Sequence, residues 1–418
     1  MGVSLMGRGS LGMSCLWALV LLSGLALSNA LSSTSATTTG INYGQVADDL
    51  PPPELVVGLL QTSNIGRIKL YTVNATVLKA FANTGIELIV GVANDIIGNL
   101  TDSNSATEWV NENIQTYLPA TKIIGIAVGN EVYTGTDTQL MANLVPAMQN
   151  IHSALVSIGA DTDIIISTPH SLGVLATSYP PSAGSFQPGL ESLLEQLLAL
   201  LSQIGSPFFI NAYPYFPYEA QPSQIPLDYV LLEPNASAVV DQNNNVVYKN
   251  MLYAQVDAVY SALSALGYPN IEVIVTETGW PSNGDADEAG ATLQNAQTYN
   301  GNLLQLLAQN KGTPLRPNVV LQAYLFALFN EDMKPGPTSE RNYGLFGPNG
   351  VEVYNVGLTG SLSIGNKKAV SVGSPTGSAD TPYYNTASAK ETCTDISFYN
   401  HLQVLALSSF LVLLLFLP

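Results

Sequence analysis

Residues 122–131 read Lys-Ile-Ile-Gly-Ile-Ala-Val-Gly-Asn-Glu, and residues 273–280 read Val-Ile-Val-Thr-Glu-Thr-Gly-Trp. Both are short runs of β-branched and small apolar residues without polar alternation, the pattern of strands covered on both faces of a parallel sheet. Each also contains a carboxylate near its end, Glu131 in the first and Glu277 in the second. Six similar runs lie at 41–44, 67–71, 87–92, 163–170, 207–214 and 318–331. Stretches of helical periodicity fall between runs at 107–117, 137–158, 190–204, 250–266 and 289–309. Eight β/α units between residues 39 and 356 predict an α/β fold, a (β/α)8 barrel. A doubly wound open sheet is the alternative, but no G-x-G-x-x-G follows the first run. Residues 215–249, rich in Pro, Asn and Tyr, read as an insertion after strand six that overhangs the mouth.

The composition removes several function classes. With 13 Lys+Arg against 31 Asp+Glu, the formal net charge is −18, which would repel nucleic-acid phosphates. Cys15 and Cys393 both lie in terminal segments, so the 39–356 region has no thiol for a disulfide, a metal or nucleophilic catalysis. His152, His170 and His401 are too scattered in sequence to suggest a histidine metal centre. No cofactor and no metal are expected, and the chain is expected to work as a monomer.

The two ends read as addresses. Residues 1–30 carry Arg8, an apolar stretch at 11–27 and small residues at Ser28 and Ala30, the order of a secretory signal peptide. Residues 357–388 turn to Gly, Ser, Thr and Ala, a stalk that cannot bury a core. In 389–418 a polar spacer leads to an apolar tail, which fits a glycosylphosphatidylinositol (GPI) signal with attachment at Ser388 or Asn385. A tail-anchored helix is the alternative. Sequons at Asn74, Asn99 and Asn235 suit a secretory chain. The expected location is the outer face of the plasma membrane, against the cell wall.

In a (β/α)8 barrel the site gathers at the C-terminal ends of the strands. Glu131 and Glu277 end strands four and seven, whose ends face each other across the mouth. Two such carboxylates are the minimal apparatus for cleaving a glycosidic bond, one protonated as acid and one ionised. The amide of Asn130 is placed to hold a sugar hydroxyl. Tyr43, Tyr71, Tyr213, Tyr215, Phe216, Trp280 and Phe329 lie at or just after strand ends, as sugar platforms or as plain core.

Six segments together carry a resemblance: Ile41-Asn42-Tyr43-Gly44 with Leu50-Pro51; Val128 through Val132; Ser178-Tyr179-Pro180-Pro181-Ser182; Ala212 through Phe216; Thr276 through Ser282; and Phe329-Asn330-Glu331 through Lys334 and Glu340 to Phe346. In this order they resemble plant endo-1,3-β-glucanases of glycoside hydrolase family 17 over about residues 40–356. The resemblance implies a retaining mechanism, with Glu131 as general acid/base and Glu277 as nucleophile. It also implies a supporting cluster of Glu331, Lys334 and Glu340, in which one ammonium holds two carboxylates, and a substrate contact at Tyr71. The substrate implied is wall 1,3-β-glucan such as callose, cut internally. A transglycosylase on the same fold and a non-catalytic glucan receptor are the alternatives, and mixed 1,3-1,4 linkages stay open.

Overall fold

In the computed structural model, which describes residues 1–2 and 39–358, the short runs form one ring of parallel strands. The strands are β1 (Thr39–Asn42), β2 (Arg67–Lys69), β3 (Glu87–Val92), β4 (Lys122–Val128), β5 in two pieces (Ile165–Ser167 and Pro169–Ser171), β6 (Phe208–Asn211), β7 (Val273–Thr278) and β8 (Ala323–Leu325). β1 pairs with both β2 and β8, the first piece of β5 pairs with β4, and its second piece pairs with β6. The break at Thr168 therefore lets one strand serve both neighbours, and the ring is the expected (β/α)8 barrel. Residues 3–30 of the expected signal peptide, the expected stalk beyond residue 358, and the tail with Asn385 and Ser388 lie outside the described residues.

The runs are buried on both faces because each strand has two packing surfaces. Ile89, Ala127, Phe209, Ile274 and Tyr324 fill the barrel, while Leu88, Val90, Ile126, Val273 and Val275 pack outward as part of the large core beneath the helices. Burying each such aliphatic or aromatic side chain contributes about 1.5–3 kcal/mol. Gly40 stands opposite Tyr324 in the β1–β8 register, and a Cβ there would collide with the Tyr324 ring.

The main helices are α1 (Pro53–Thr62), α2 (Ala75–Ala80), α3 (Ser103–Asn113), α4 (Thr138–Ser157), α5 (Glu191–Ile204), α6 (Met251–Ala265) and α7 (Leu293–Leu307). Several begin where a βα loop delivers a capping side chain: Asn74, Asp102, Asp137, Asn250 and Thr292 each accept a backbone N–H of the first turn. Helices α1 and α2 were not anticipated, and α3 starts earlier than its apolar periodicity because Asp102 sets its origin. After β8 the described chain forms no helix beyond a 3₁₀ turn, Thr338–Arg341, and isolated bridges join Phe329 to Phe346 and Phe346 to Glu352. The insertion after β6 carries two short helices, Tyr215–Ala220 and Leu227–Val230, and a two-stranded ribbon, Val239–Val240 with Val247–Tyr248.

Strands are shorter than the runs that suggested them, since the last residues of each run leave the sheet to build the mouth. Glu131 is the clearest case. It adopts a left-handed conformation (φ 54°, ψ 30°), which a non-glycine residue holds only when its surroundings compel it. Its N–H donates to Pro169 O of β5 at 2.9 Å, and its carbonyl accepts from Thr134 N at 3.1 Å.

Candidate active site

Strict alternation in β7 would turn Glu277 outward with Val273 and Val275. A bulge prevents this. Val275 pairs with Ile210 but Glu277 pairs with the next residue, Asn211, so one extra residue, Thr276, is taken up in β7. Thr276 and Glu277 consequently both serve the barrel interior and mouth, while Thr278 hydrogen-bonds Tyr299 of α7 at 2.5 Å.

Glu277 is 6% exposed and its carboxylate accepts three hydrogen bonds. Oε1 receives Lys69 Nζ at 2.9 Å and Tyr71 OH at 2.7 Å, and Oε2 receives Tyr213 OH at 2.9 Å. Burial alone would raise its pKa. The charge and hydrogen bond of Lys69, the Tyr71 hydroxyl and the more distant Lys334 outweigh burial and hold the group below its ordinary value. Glu131 is half-buried in the same cleft, and among the described residues its Oε1 accepts only from Asn211 Nδ2, at 2.9 Å. Burial, reinforced by the negative charge of Glu277, pushes it up to about 7. Two carboxyls of one type are thus driven apart by their surroundings, one proton-loaded near neutrality and one anionic.

Both line a cleft of about 590 Å³ across the barrel mouth, together with Tyr43, Tyr71, Asn130, Tyr213, Phe216, Glu331, Lys334 and Glu340. Lys334 Nζ pairs with Glu340 at 3.2 Å and lies 4.3 Å above the Phe326 ring. Burial would lower this ammonium, but Glu340, Glu331 and Glu277 hold it above its ordinary value. Glu331 makes no ion pair with Lys334; its Oε1 accepts from Val46 N at 2.8 Å. One ammonium therefore grips one carboxylate, and the backbone of the β1 loop holds the other. A Cβ on Gly44 would strike the Glu331 carboxylate, which is why that loop carries glycine. Among the described residues, the carboxylates whose ligand atoms converge are Asp48, Asp49 and Asp332, all exposed.

Residues 39–358 match the family described as glycosyl hydrolases family 17. The chain is 48% identical to glucan endo-1,3-beta-glucosidase 11 of Arabidopsis thaliana, over 80% of this chain and 79% of that one. It is 51% identical to glucan endo-1,3-beta-glucosidase 10 of the same plant, over 77% and 76%. The chain belongs to glycosyl hydrolase family 17. Among solved structures it is similar to a β-1,3-glucanase and pollen allergen of Cryptomeria japonica, with 44% identity and a TM-score of 0.73 over 77% of this chain and 98% of that one. It is also similar to one of two plant β-glucan endohydrolases described as having distinct substrate specificities, with 36% identity and a TM-score of 0.70 over 76% and 99%.

As a family 17 glycoside hydrolase the chain is an enzyme, and its cleft sorts the residues suggested by sequence. Tyr43, Tyr71, Asn130, Tyr213 and Phe216 line it. Three others are corrected. Trp280 is fully buried with Nε1 donating to Gly290 O at 2.8 Å, Tyr215 is fully buried against Trp280 and Tyr343, and Phe329 is packed between Tyr43 and Phe346. These three are core, because the chain turns behind the mouth immediately after the strands. Tyr71, expected to touch substrate, spends its hydroxyl on Glu277 and Asn42. Asn99 and Asn235 are exposed; Asn74 is half-buried, its amide capping α2 and donating to Gln45 Oε1 at 3.1 Å.

Sequence reasoning missed Lys69, Asn42, Asn211, Phe326 and Tyr343. Lys69 is 1% exposed and lies 4.0 Å over the Tyr71 ring. The signal was present: in Arg67-Ile68-Lys69-Leu70-Tyr71 the polar residues alternate with outward Ile68 and Leu70, which aims Lys69 and Tyr71 inward. Asn42 and Asn211 were likewise polar residues inside apolar runs.

Proposed function

We propose that this enzyme hydrolyses internal 1,3-β-glucosidic bonds of 1,3-β-glucan, callose-type wall glucan included, with retention of anomeric configuration. The observation that carries the reading is the opposite electrostatic setting of Glu131 and Glu277 in one cleft. The activities named for the relatives from Arabidopsis thaliana and Cryptomeria japonica support the substrate class.

In the first step Glu277 attacks the anomeric carbon as Glu131 gives its proton to the departing glycosidic oxygen, so one C–O bond forms and one breaks. Lys69, Tyr71 and Tyr213 keep the nucleophile ionised and fix its two oxygens before the sugar arrives. Esterifying Glu277 removes the negative charge that helps to raise Glu131. Its lowered pKa keeps Glu131 ionised after the proton has left, and this carboxylate then draws a proton from water, which attacks the same carbon and frees Glu277. Glu331, Lys334 and Glu340 shape the field at one side of the cleft.

Product analysis on linear 1,3-β-glucan tests the reading. Wild type is expected to release oligomers of mixed length whose new ends appear first as the β-anomer, and Glu277→Gln to release none. First appearance of the α-anomer would overturn retention; products longer than the substrate would make transfer the main reaction. Binding without release by wild type would instead favour a glucan receptor. We further propose that the enzyme works outside the cell on a GPI tether, supported by the composition of residues 1–30 and 389–418. Phosphatidylinositol-specific phospholipase C should then free the activity from plant membranes, and activity that stays bound argues for a spanning anchor.

A further inference from the structure

We infer that Asn211 is a positioning residue that reserves Oε1 of Glu131 as a fixed hydrogen-bond acceptor, leaving Oε2 as the oxygen that carries and delivers the proton. The inference rests on the acid/base role proposed for Glu131.

Asn211 closes β6, is 2% exposed and stands opposite Glu277 in the β6–β7 register. Its amide is held at both ends. Thr276 Oγ1 lies 2.8 Å from Oδ1, and the Nδ2 hydrogens point to Glu131 Oε1 at 2.9 Å and Asn130 Oδ1 at 3.5 Å. A flipped amide would set its carbonyl oxygen against the Glu131 carboxyl and against the Asn130 carbonyl, so the network itself selects the orientation. Thr276 is available for this contact because it is the extra residue of the β7 bulge. One irregularity therefore turns Glu277 into the mouth and also sets the donor on Glu131.

The consequence lies in the two oxygens of Glu131. A proton on Oε1 would weaken the bond from Nδ2, whereas Oε2 accepts no hydrogen bond from the described residues. The proton is thus directed to the oxygen free to meet substrate. The charged groups that bear on Glu131 are Glu277 of β7 and Glu340 beyond β8, which raise it, and Lys69 of β2, which lowers it; the Asn211 bond also lowers it. Losing that bond moves the group upward and lets the proton sit on either oxygen.

The test compares kcat/KM on 1,3-β-glucan with that on dinitrophenyl β-laminaribioside, whose leaving group departs without protonation. Asn211→Ala is expected to lose about 10- to 100-fold on glucan, a part of what general acid catalysis supplies. It should stay within about threefold on the activated substrate, with the alkaline limb on glucan displaced to higher pH. Thr276→Val should show the same signature more weakly and Thr276→Ser should restore the wild-type profile, so the inference can be judged even where Asn211→Ala folds poorly. Equal losses on both substrates with an unmoved alkaline limb would overturn it. Glu131→Gln separates the two levels: if it too loses equally on both substrates, the acid/base reading itself fails. If Glu131→Gln is spared on the activated substrate and Asn211→Ala is not, only the present inference fails.

Discussion

Glu131 and Glu277 are chemically identical, and their difference is made by neighbours. Lys69 reaches Glu277 at 2.9 Å, whereas no cation lies within ion-pair distance of Glu131 among the described residues. Stability should carry the imprint of this. Glu131 holds its proton up to about pH 7 when folded against an ordinary value of 4.5, so it favours the folded state fully below about 4.5. That contribution is lost as pH rises through 7, and a shift of this size corresponds to roughly 3 kcal/mol at most. Glu277, held below its ordinary value, behaves oppositely: its contribution is present above the unfolded value and is lost as pH falls. Glu131→Gln is therefore expected to be more stable than wild type by about 1–3 kcal/mol at pH 8 and equal to it at pH 4. Thermal unfolding at the two pH values checks this, and an equal difference at both would refute it. The activity of wild type on glucan should decline as pH passes about 7, where the acid is lost.

Among the elements, β7 does the most to place the site, while the insertion after β6 contributes Phe216 to the cleft. The identity of β7 was plain from its apolar run, but its bulge was not, because a bulge depends on the register of two neighbouring strands. The insertion is fastened to residues 178–186, which follow β5, by a buried carboxylate, with Asn243 Nδ2 also donating to Ser182 Oγ at 3.1 Å. Asp241 is fully buried and accepts from Ser182 N at 2.8 Å, Ser182 Oγ at 2.9 Å and Asn243 N at 2.9 Å. This gives the Tyr179-Pro180-Pro181-Ser182 segment a role: it is the socket for the insertion. Asp241→Ala would strand these donors and should cost about 2–4 kcal/mol. Hydrogen exchange should accelerate in residues 178–186 and 239–248 while β3 and β4 stay protected. Uniform acceleration across the barrel would show that the latch is part of the global fold.

At the scale of the whole molecule, the charge of −18 belongs with a neutral substrate, which needs no long-range attraction. Hydrolysis of 1,3-β-glucan should consequently change less than about twofold in kcat/KM between about 0.02 and 0.5 M NaCl. A steep dependence on salt would point to a charged polysaccharide instead. The barrel was legible because burial on both faces imposes an apolar, β-branched composition on each parallel strand, and eight such runs recur between residues 39 and 356. The carboxylate pair proposed to act in catalysis was legible because two apolar strands each end in a glutamate, and a carboxylate there is costly unless it is used. The sequence could not separate platform from core among Tyr43, Tyr71, Tyr213, Tyr215, Phe216, Trp280 and Phe329, since an aromatic ring suits either environment. Nor did it reveal that Lys69 and Asn211 serve carboxylates 208 and 80 residues away, or that Thr276 holds the Asn211 amide from 65 residues away. Local sequence determined the strands, the helix caps and the residues with reactive groups. Only the closed barrel decided which of them meet, because hydrogen bonds and charges act over a few ångströms and that proximity is created by register, bulge and closure rather than by any one segment.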